Sequence, residues 1–82
     1  MFRILTEDKN RDGILAILDS YVDGYTLSES IGAWKGVQEK SLAIDFVDVP
    51  RGTVESIARI IKKRNDQDAV LILDIPVTTN FI

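Results

Sequence analysis

The chain has 82 residues, which is enough for one domain with a single core. Cysteine and histidine are absent, which excludes disulfides, thiolate nucleophiles, serine–histidine catalysis and most zinc, copper or haem sites. The net charge of −3 disfavours binding to nucleic-acid backbones. We therefore expect a non-enzymatic protein with no cofactor and no resident metal.

The first half of the chain predicts a strand, a helix and a second strand. Residues 2–6 form the first strand. Apolar residues then recur at three- and four-residue spacing, which marks one face of a helix that has Asp8 or Asn10 as its N-cap and ends at Gly24. These apolar residues are Ile14, Ile17, Leu18 and Tyr21. Residues 25–33 carry β-branched and aromatic residues with polar alternates, which indicates a strand.

The second half predicts a strand, a helix and a last strand. Residues 34–40 are polar and contain Gly36, so we expect a loop there. A third strand follows over residues 41–49. After a turn at residues 50–52, a second helix begins near Thr53. Its apolar stripe is Val54, Ile57, Ala58 and Ile61. The last strand covers residues 69–75, and Pro76 begins an extended tail.

This order predicts an α+β domain of the ferredoxin-like, split βαβ type (βαββαβ), with both helices on one face of an antiparallel sheet. Val70 and Ile72 point to one face of the last strand, while Leu71 and Leu73 point to the other. A strand that is apolar on both sides is usually buried on both sides. Because the helices cover only one face, we expect a homo-oligomer. The alternative is an edge strand with extra aliphatic residues.

No secretory signal is recognisable around Met1, and the longest apolar runs, such as residues 69–73, are too short to span a bilayer. We therefore expect a protein without a membrane partner, located in the cytoplasm of a cell or of an infected host.

The segment of residues 25–36 is the best candidate for a ligand site. Trp34 would stack on a planar ring, Gly32 and Gly36 would let a ligand approach the backbone, and Lys35 would meet an anion. In the alternative interpretation, Trp34 anchors the core or an interface and the glycines only form turns. Glu39 would accept hydrogen bonds from a ribose or an amine, or else form a surface ion pair. The full set of predicted ligand-binding residues is Thr26, Ser28, Gly32, Trp34, Lys35, Gly36 and Glu39.

The other charged residues predict no site. Asp45, Asp48 and Asp74 show neither the pairing of a hydrolase nor the spacing of a calcium loop. Arg59 and residues 62–64 form a basic cluster near the end of the second helix, where cations suit the helix dipole. Without interleaved aromatic residues, this cluster does not indicate nucleic-acid binding.

The chain as a whole resembles the PII-like signalling proteins and their CutA-type relatives. Residues 24–32 are similar to the second strand of that family where it enters the T-loop. Residues 41–47 resemble the third strand, residues 54–62 the second helix and residues 69–73 the closing strand. The T-loop is shortened to residues 35–40, and residues 65–68 stand in place of the phosphate-binding B-loop.

This resemblance implies a trimer, with a dimer as the alternative, that holds a nucleotide in clefts between subunits. Thr26, Gly32 and Trp34 would line that cleft. Residues 32–34, 39–41 and 67–71, together with Phe81, are also similar to an uncharacterised family of small ferredoxin-like proteins.

Three functional hypotheses result. The first is an oligomer that binds a small anionic or nucleotide-like ligand between subunits, either as a sensor or as a sponge used in viral counter-defence. The second is a protein–protein interaction module or inhibitor that acts through the hairpin at Trp34 or through the basic cluster. The third is a cofactor-free enzyme of the dimeric α/β-barrel type.

Overall fold

Four antiparallel strands form one sheet, and two helices pack on one of its faces. The computed structural model describes the backbone of residues 1–82 and every side chain except that of Trp34. The elements are β1 (Phe2–Glu7), α1 (Arg11–Tyr21), β2 (Thr26–Trp34), β3 (Val37–Phe46), α2 (Arg51–Arg64) and β4 (Leu71–Asp74). The strand order is β2-β3-β1-β4. This architecture confirms the predicted α+β class and is compatible with the ferredoxin-like arrangement.

The hydrophobic core lies between the sheet and the two helices. Ile4 of β1 faces Ile44 of β3 across the ladder, and both side chains are completely buried. The helices contribute most of the apolar stripes that the sequence predicts, and the buried residues are Ile14, Ile17 and Leu18 of α1 with Val54, Ile57, Ala58 and Ile61 of α2. Tyr21, which was also predicted for the stripe of α1, is 49% exposed because it lies at the end of the helix. The 3.6-residue period of each helix therefore selects the face that it turns toward the sheet.

The hairpin between β2 and β3 differs most from the prediction. Residues 34–40 are not a loop, because β3 begins at Val37 and only Lys35 and Gly36 form the turn. Their φ angles are 50° and 79°, as a type I′ turn requires at both central positions. This turn matches the twist of the two strands and lets them pair up to the Trp34–Val37 pair.

The outer half of this hairpin projects beyond the rest of the sheet. Ser41 pairs with Glu7, the last residue of β1, so the hairpin continues past this point without a third strand. We call residues 31–40 the arm. Every described side chain of the arm is exposed, and the molecule measures 41 × 26 × 19 Å. The arm therefore gains no burial from its own chain.

Smaller differences concern the ends of the other elements. α1 ends at Tyr21, three residues before Gly24, and α2 begins at Arg51, directly after Pro50. The fixed φ of Pro50 suits the position before a helix, so the first turn forms earlier than Thr53. β4 is limited to Leu71–Asp74, since the hydrogen bonds to β1 end at Leu5.

The core predicts a clear contrast between two isoleucines of the same sheet. Replacing the fully buried Ile44 with alanine should lower the free energy of unfolding by about 2–5 kcal/mol, because a cavity remains. Ile31 on the arm is 73% exposed, and Ile31→Ala should change the free energy by less than about 0.5 kcal/mol. Urea unfolding followed by circular dichroism measures both values. Equal losses would contradict this assignment of core and arm.

Candidate functional site

The sheet face opposite the helices is uncovered, and we call it the open face. Its apolar part spans β1, β3 and β4. Leu5 lies opposite Leu71, and Leu73 is the next residue of β4 on this side. Leu5 and Leu73 are half-buried, whereas Leu71 is 54% exposed. Val70 and Ile72 pack against the core instead, so β4 is apolar on both faces, as the sequence predicts.

An ion pair lies beside this apolar part. The Arg3 guanidinium donates from Nε to Oδ1 of Asp45 at 2.6 Å and from Nη2 to Oδ2 at 3.0 Å. The hydrogen bonds with Asp45 raise the pKa of Arg3. Two parallel hydrogen bonds fix the geometry of the pair, and each charge neutralises the other. The centre of the open face is therefore polar at one point but carries no net charge there.

Hydroxyl groups occupy the other half of the open face. Thr26, Ser28 and Ser30 follow one another on the same side of β2, and Ser41 lies opposite Ser30 in β3. The Oγ atoms of Ser30 and Ser41 are 2.7 Å apart and share one hydrogen bond. These four residues form a hydroxyl strip, which can both donate and accept hydrogen bonds.

The predicted ligand-binding residues lie along this strip and onto the arm. Thr26, Ser28 and Gly32 share the side of β2 that faces away from the helices, and Glu39 lies opposite Gly32 across the ladder. At about 3.3 Å per residue, Thr26 and Gly32 are about 20 Å apart. One small ligand cannot contact both Thr26 and Gly32. The structure thus places these residues on one face without bringing them into one pocket.

The other predicted residues mark the tip of the arm. Lys35 and Gly36 are the turn itself, and Trp34 is the last residue of β2. The side chain of Trp34 lies outside the described part of the structure, so its predicted stacking role stays a prediction. Lys35 is about 30 Å from Thr26 along the strand.

A second group of charges lies at the base of the arm, on the helix side. Arg11, at the start of α1, donates from Nη2 to Oδ2 of Asp8 at 2.6 Å and pairs through Nη1 with Oε1 of Glu29 at 2.8 Å. The Asp8 backbone N–H donates to the carbonyl of Lys40 at 3.2 Å. A cavity of about 300 Å³ opens here, with Glu29, Lys40, Ser30 and Ser41 among its lining residues.

Arg11 influences the ionisation of the carboxylate beside it at the base of the arm. The hydrogen bonds from Arg11 hold the pKa of Asp8 below its ordinary value. The hydrogen bonds with Asp8 and then Glu29 raise the pKa of Arg11 itself. The lowered pKa of Asp8 and the raised pKa of Arg11 keep this pair ionised at neutral pH. The contacts of Arg11 tie the start of α1 to the residue after β1 and to β2.

A cleft with a volume of about 480 Å³ lies at the opposite end of the sheet. Tyr21, Tyr25, Val47 and Thr26 are among the residues that line it. Tyr25 donates its hydroxyl hydrogen to Oδ1 of Asp19 at 2.9 Å, which raises the pKa of this tyrosine. Thr26 is thus the one predicted ligand-binding residue that lines this cleft.

The chemistry of these surfaces is suited to binding. Hydroxyl groups, backbone and paired charges can hold a polar ligand. No cluster of three or more carboxylates that could hold a metal ion occurs among the described side chains. Within the described chain, no helix is long and apolar enough to cross a membrane.

Several of these contacts were not predicted from the sequence. Ser30, Ser41 and the Arg11–Glu29 pair depend on the register of the hairpin and on the position of α1. The alternation of hydroxyls at positions 26, 28 and 30 was the available signal for the strip. No protein-family model matches the chain, and no curated protein matches it at a significant level.

The Arg11–Asp8 contact predicts a specific dependence of stability on pH. Because the pKa of Asp8 is lower in the fold than its ordinary value of 3.8, its ionised form stabilises the folded state above that pH. This contribution should disappear as the pH falls through the lowered pKa. The stability difference between the native protein and Asp8→Asn should therefore be present at neutral pH and vanish in acid.

Urea unfolding over a series of pH values measures this difference. Asp23→Asn is the matched control, because Asp23 is exposed and has no ion pair among the described side chains. A difference for Asp8→Asn that persists unchanged in strong acid would contradict the role of the carboxylate.

Proposed function

We propose that the chain is a non-enzymatic homo-oligomer that binds a small anionic or nucleotide-like ligand at the boundary between copies. In this proposal the open faces contribute the interface and the hydroxyl strip with the arm contributes one wall of the ligand site. The apolar part of the open face is the single observation that carries the proposal.

The apolar part of the open face supports association. A domain of this size buries only about 60% of its unfolded surface, so it is marginally stable without a further source of burial. Leu5, Leu71 and Leu73 form a continuous uncovered group next to the neutral Arg3–Asp45 pair. An apolar surface with a polar but uncharged centre is suited to contact with a second copy of itself.

The spread of the hydroxyl strip supports a site between copies. Within one chain the strip together with Gly32 extends over about 20 Å, and ligand sites are usually concave. A second copy packed on the open face would supply an opposing wall. Lys35 at the tip of the arm would then provide a cation for an anionic group.

A trimer is the form that the resemblance to PII-like proteins favours, and a dimer is the alternative. The sensor and the sponge share the same binding chemistry and differ only in what binding does for the cell. The absence of histidine and cysteine supports a binding role over catalysis, since the usual general bases and nucleophiles are missing.

A second candidate function uses the arm to bind another protein. Ile31 and Val37 of the arm are 73% and 60% exposed, although both are apolar. Their exposure favours an arm that docks against a partner over one that only frames a ligand. The two functions make different predictions for ligand titrations.

The proposed interface predicts that a charge on the open face prevents association. Leu73→Lys should shift the protein to the monomer, because an unpaired charge buried in an interface costs several kcal/mol. Ala16→Lys, on the exposed side of α1, adds the same charge and should leave the oligomer intact. Native mass spectrometry counts the subunits. A monomeric native protein would disprove the proposed assembly.

The proposed ligand site predicts a response to nucleotides. Trp34 is the only tryptophan, so its fluorescence reports on the arm. Titration of the oligomer with a panel of nucleotides should give a saturable change for at least one of them. Lys35→Ala should weaken that ligand about tenfold through loss of a charge-assisted contact, whereas Lys9→Ala should not. A flat response to the whole panel by an intact oligomer would favour the protein-binding arm.

A further inference from the structure

The end of α2 carries a concentration of positive charge that the proposed function does not use. Lys62, Lys63 and Arg64 occupy its last turn, and all three are exposed. None of them forms an ion pair with a described side chain, and Arg59 pairs only with Glu55 at 3.6 Å. On a chain with a net charge of −3, this end is therefore locally cationic.

Three of these cations line one cavity. Arg59, Lys62 and Lys63 border a space of about 330 Å³ together with Asp66 and Gln67. Asp66 borders the cavity and Glu55 pairs with Arg59, so three cations face two carboxylates and the balance of charge still favours an anion. The negative end of the α2 dipole opposes an anion here, but its effect is that of about half a charge and is outweighed by the three side chains.

Gln67 also lines this cavity, and its side-chain amide is buried but only partly hydrogen-bonded. The residue is only 6% exposed. Its Oε1 accepts from the hydroxyl of Thr6 at 2.9 Å and from the backbone N–H of Glu7 at 3.4 Å. Because a backbone N–H can only donate, it fixes which end of the amide is the oxygen.

The other end of this amide lacks a partner. Nε2 of Gln67 is the buried side-chain atom that has no hydrogen-bond acceptor in the described structure. A buried donor without an acceptor costs about 1–3 kcal/mol. An acceptor that reached this nitrogen from the cavity would remove that cost.

We propose that this cavity binds a small oxyanion, in particular a phosphate group. Lys62 and Lys63 supply charge-assisted contacts from the surface, and Gln67 supplies a neutral donor from the interior. Phosphate offers several acceptor oxygens, so it can contact both sides of the cavity at once. The site belongs to the helix side of one chain and needs no second copy.

The probe for this site is inorganic phosphate, titrated at constant ionic strength and followed by nuclear magnetic resonance. The side-chain amide signal of Gln67 should shift in a saturable manner. Lys62→Gln and Lys63→Gln should each weaken the apparent affinity about tenfold or more, as the loss of a charged hydrogen bond predicts. Lys9→Gln removes the same charge from an exposed loop and should leave the affinity unchanged.

Two results would overturn the proposal. One is a Gln67 signal that does not move while phosphate is added. The other is an equal loss of affinity in the Lys9 variant, which would show only a diffuse attraction between phosphate and the cations. Because the readout is on Gln67 and is unaffected by assembly, the outcome is distinguishable from a failure of the proposed oligomer.

Discussion

Burial of the helix-facing side of β1 and β3 is the interaction on which the rest of the structure depends. Ile4 and Ile44 face each other in the middle of the sheet, are completely buried and contact both helices through one continuous core. The two helices cover this side of the sheet, and neither of them covers the open face. With so small a chain, the uncovered leucines of the open face offer a further source of burial. The proposed association through that face, and the proposed ligand site at its rim, both start from the fact that the helices cover one side only.

The same constraint accounts for the arm. β2 and β3 are held in register where β1 supports them, up to the pairing of Glu7 with Ser41. Beyond this point only the hydrogen bond from the Asp8 N–H to the carbonyl of Lys40 joins the two strands to another segment, and an isolated two-stranded ribbon is marginally stable in water. The contact between Ser30 and Ser41 and the turn at Lys35 and Gly36 fasten the two ends of this ribbon. The arm is therefore a protruding element whose order depends on register and turn chemistry.

The sequence was sufficient to predict the structure where burial imposes a periodic pattern of apolar residues. The apolar stripes of α1 and α2 and the two-sided β4 are visible as patterns, and together they determine the topology. The sequence was insufficient where both faces of a segment are exposed to solvent. Residues 37–40 are paired strand, but their side chains show no apolar alternation, so nothing distinguished them from a loop. The residues of the two proposed sites also fall into a predictable and an unpredictable group. Alternation placed Thr26, Ser28 and Gly32 on one face, whereas the contacts of Gln67 join residues about sixty positions apart and depend on the finished fold.

The two proposed binding surfaces meet at one short segment. The backbone N–H of Glu7 donates to Gln67, beside the cavity at the end of α2, and the backbone N–H of Asp8 donates to Lys40, at the base of the arm. These neighbouring residues connect the proposed phosphate cavity with the base of the arm through two backbone hydrogen bonds. A ligand that tightens the amide of Gln67 would restrain Glu7, and through Asp8 the point where the arm leaves the sheet. Coupling between two sites needs an element that both of them contact, and in this fold the end of β1 is that element.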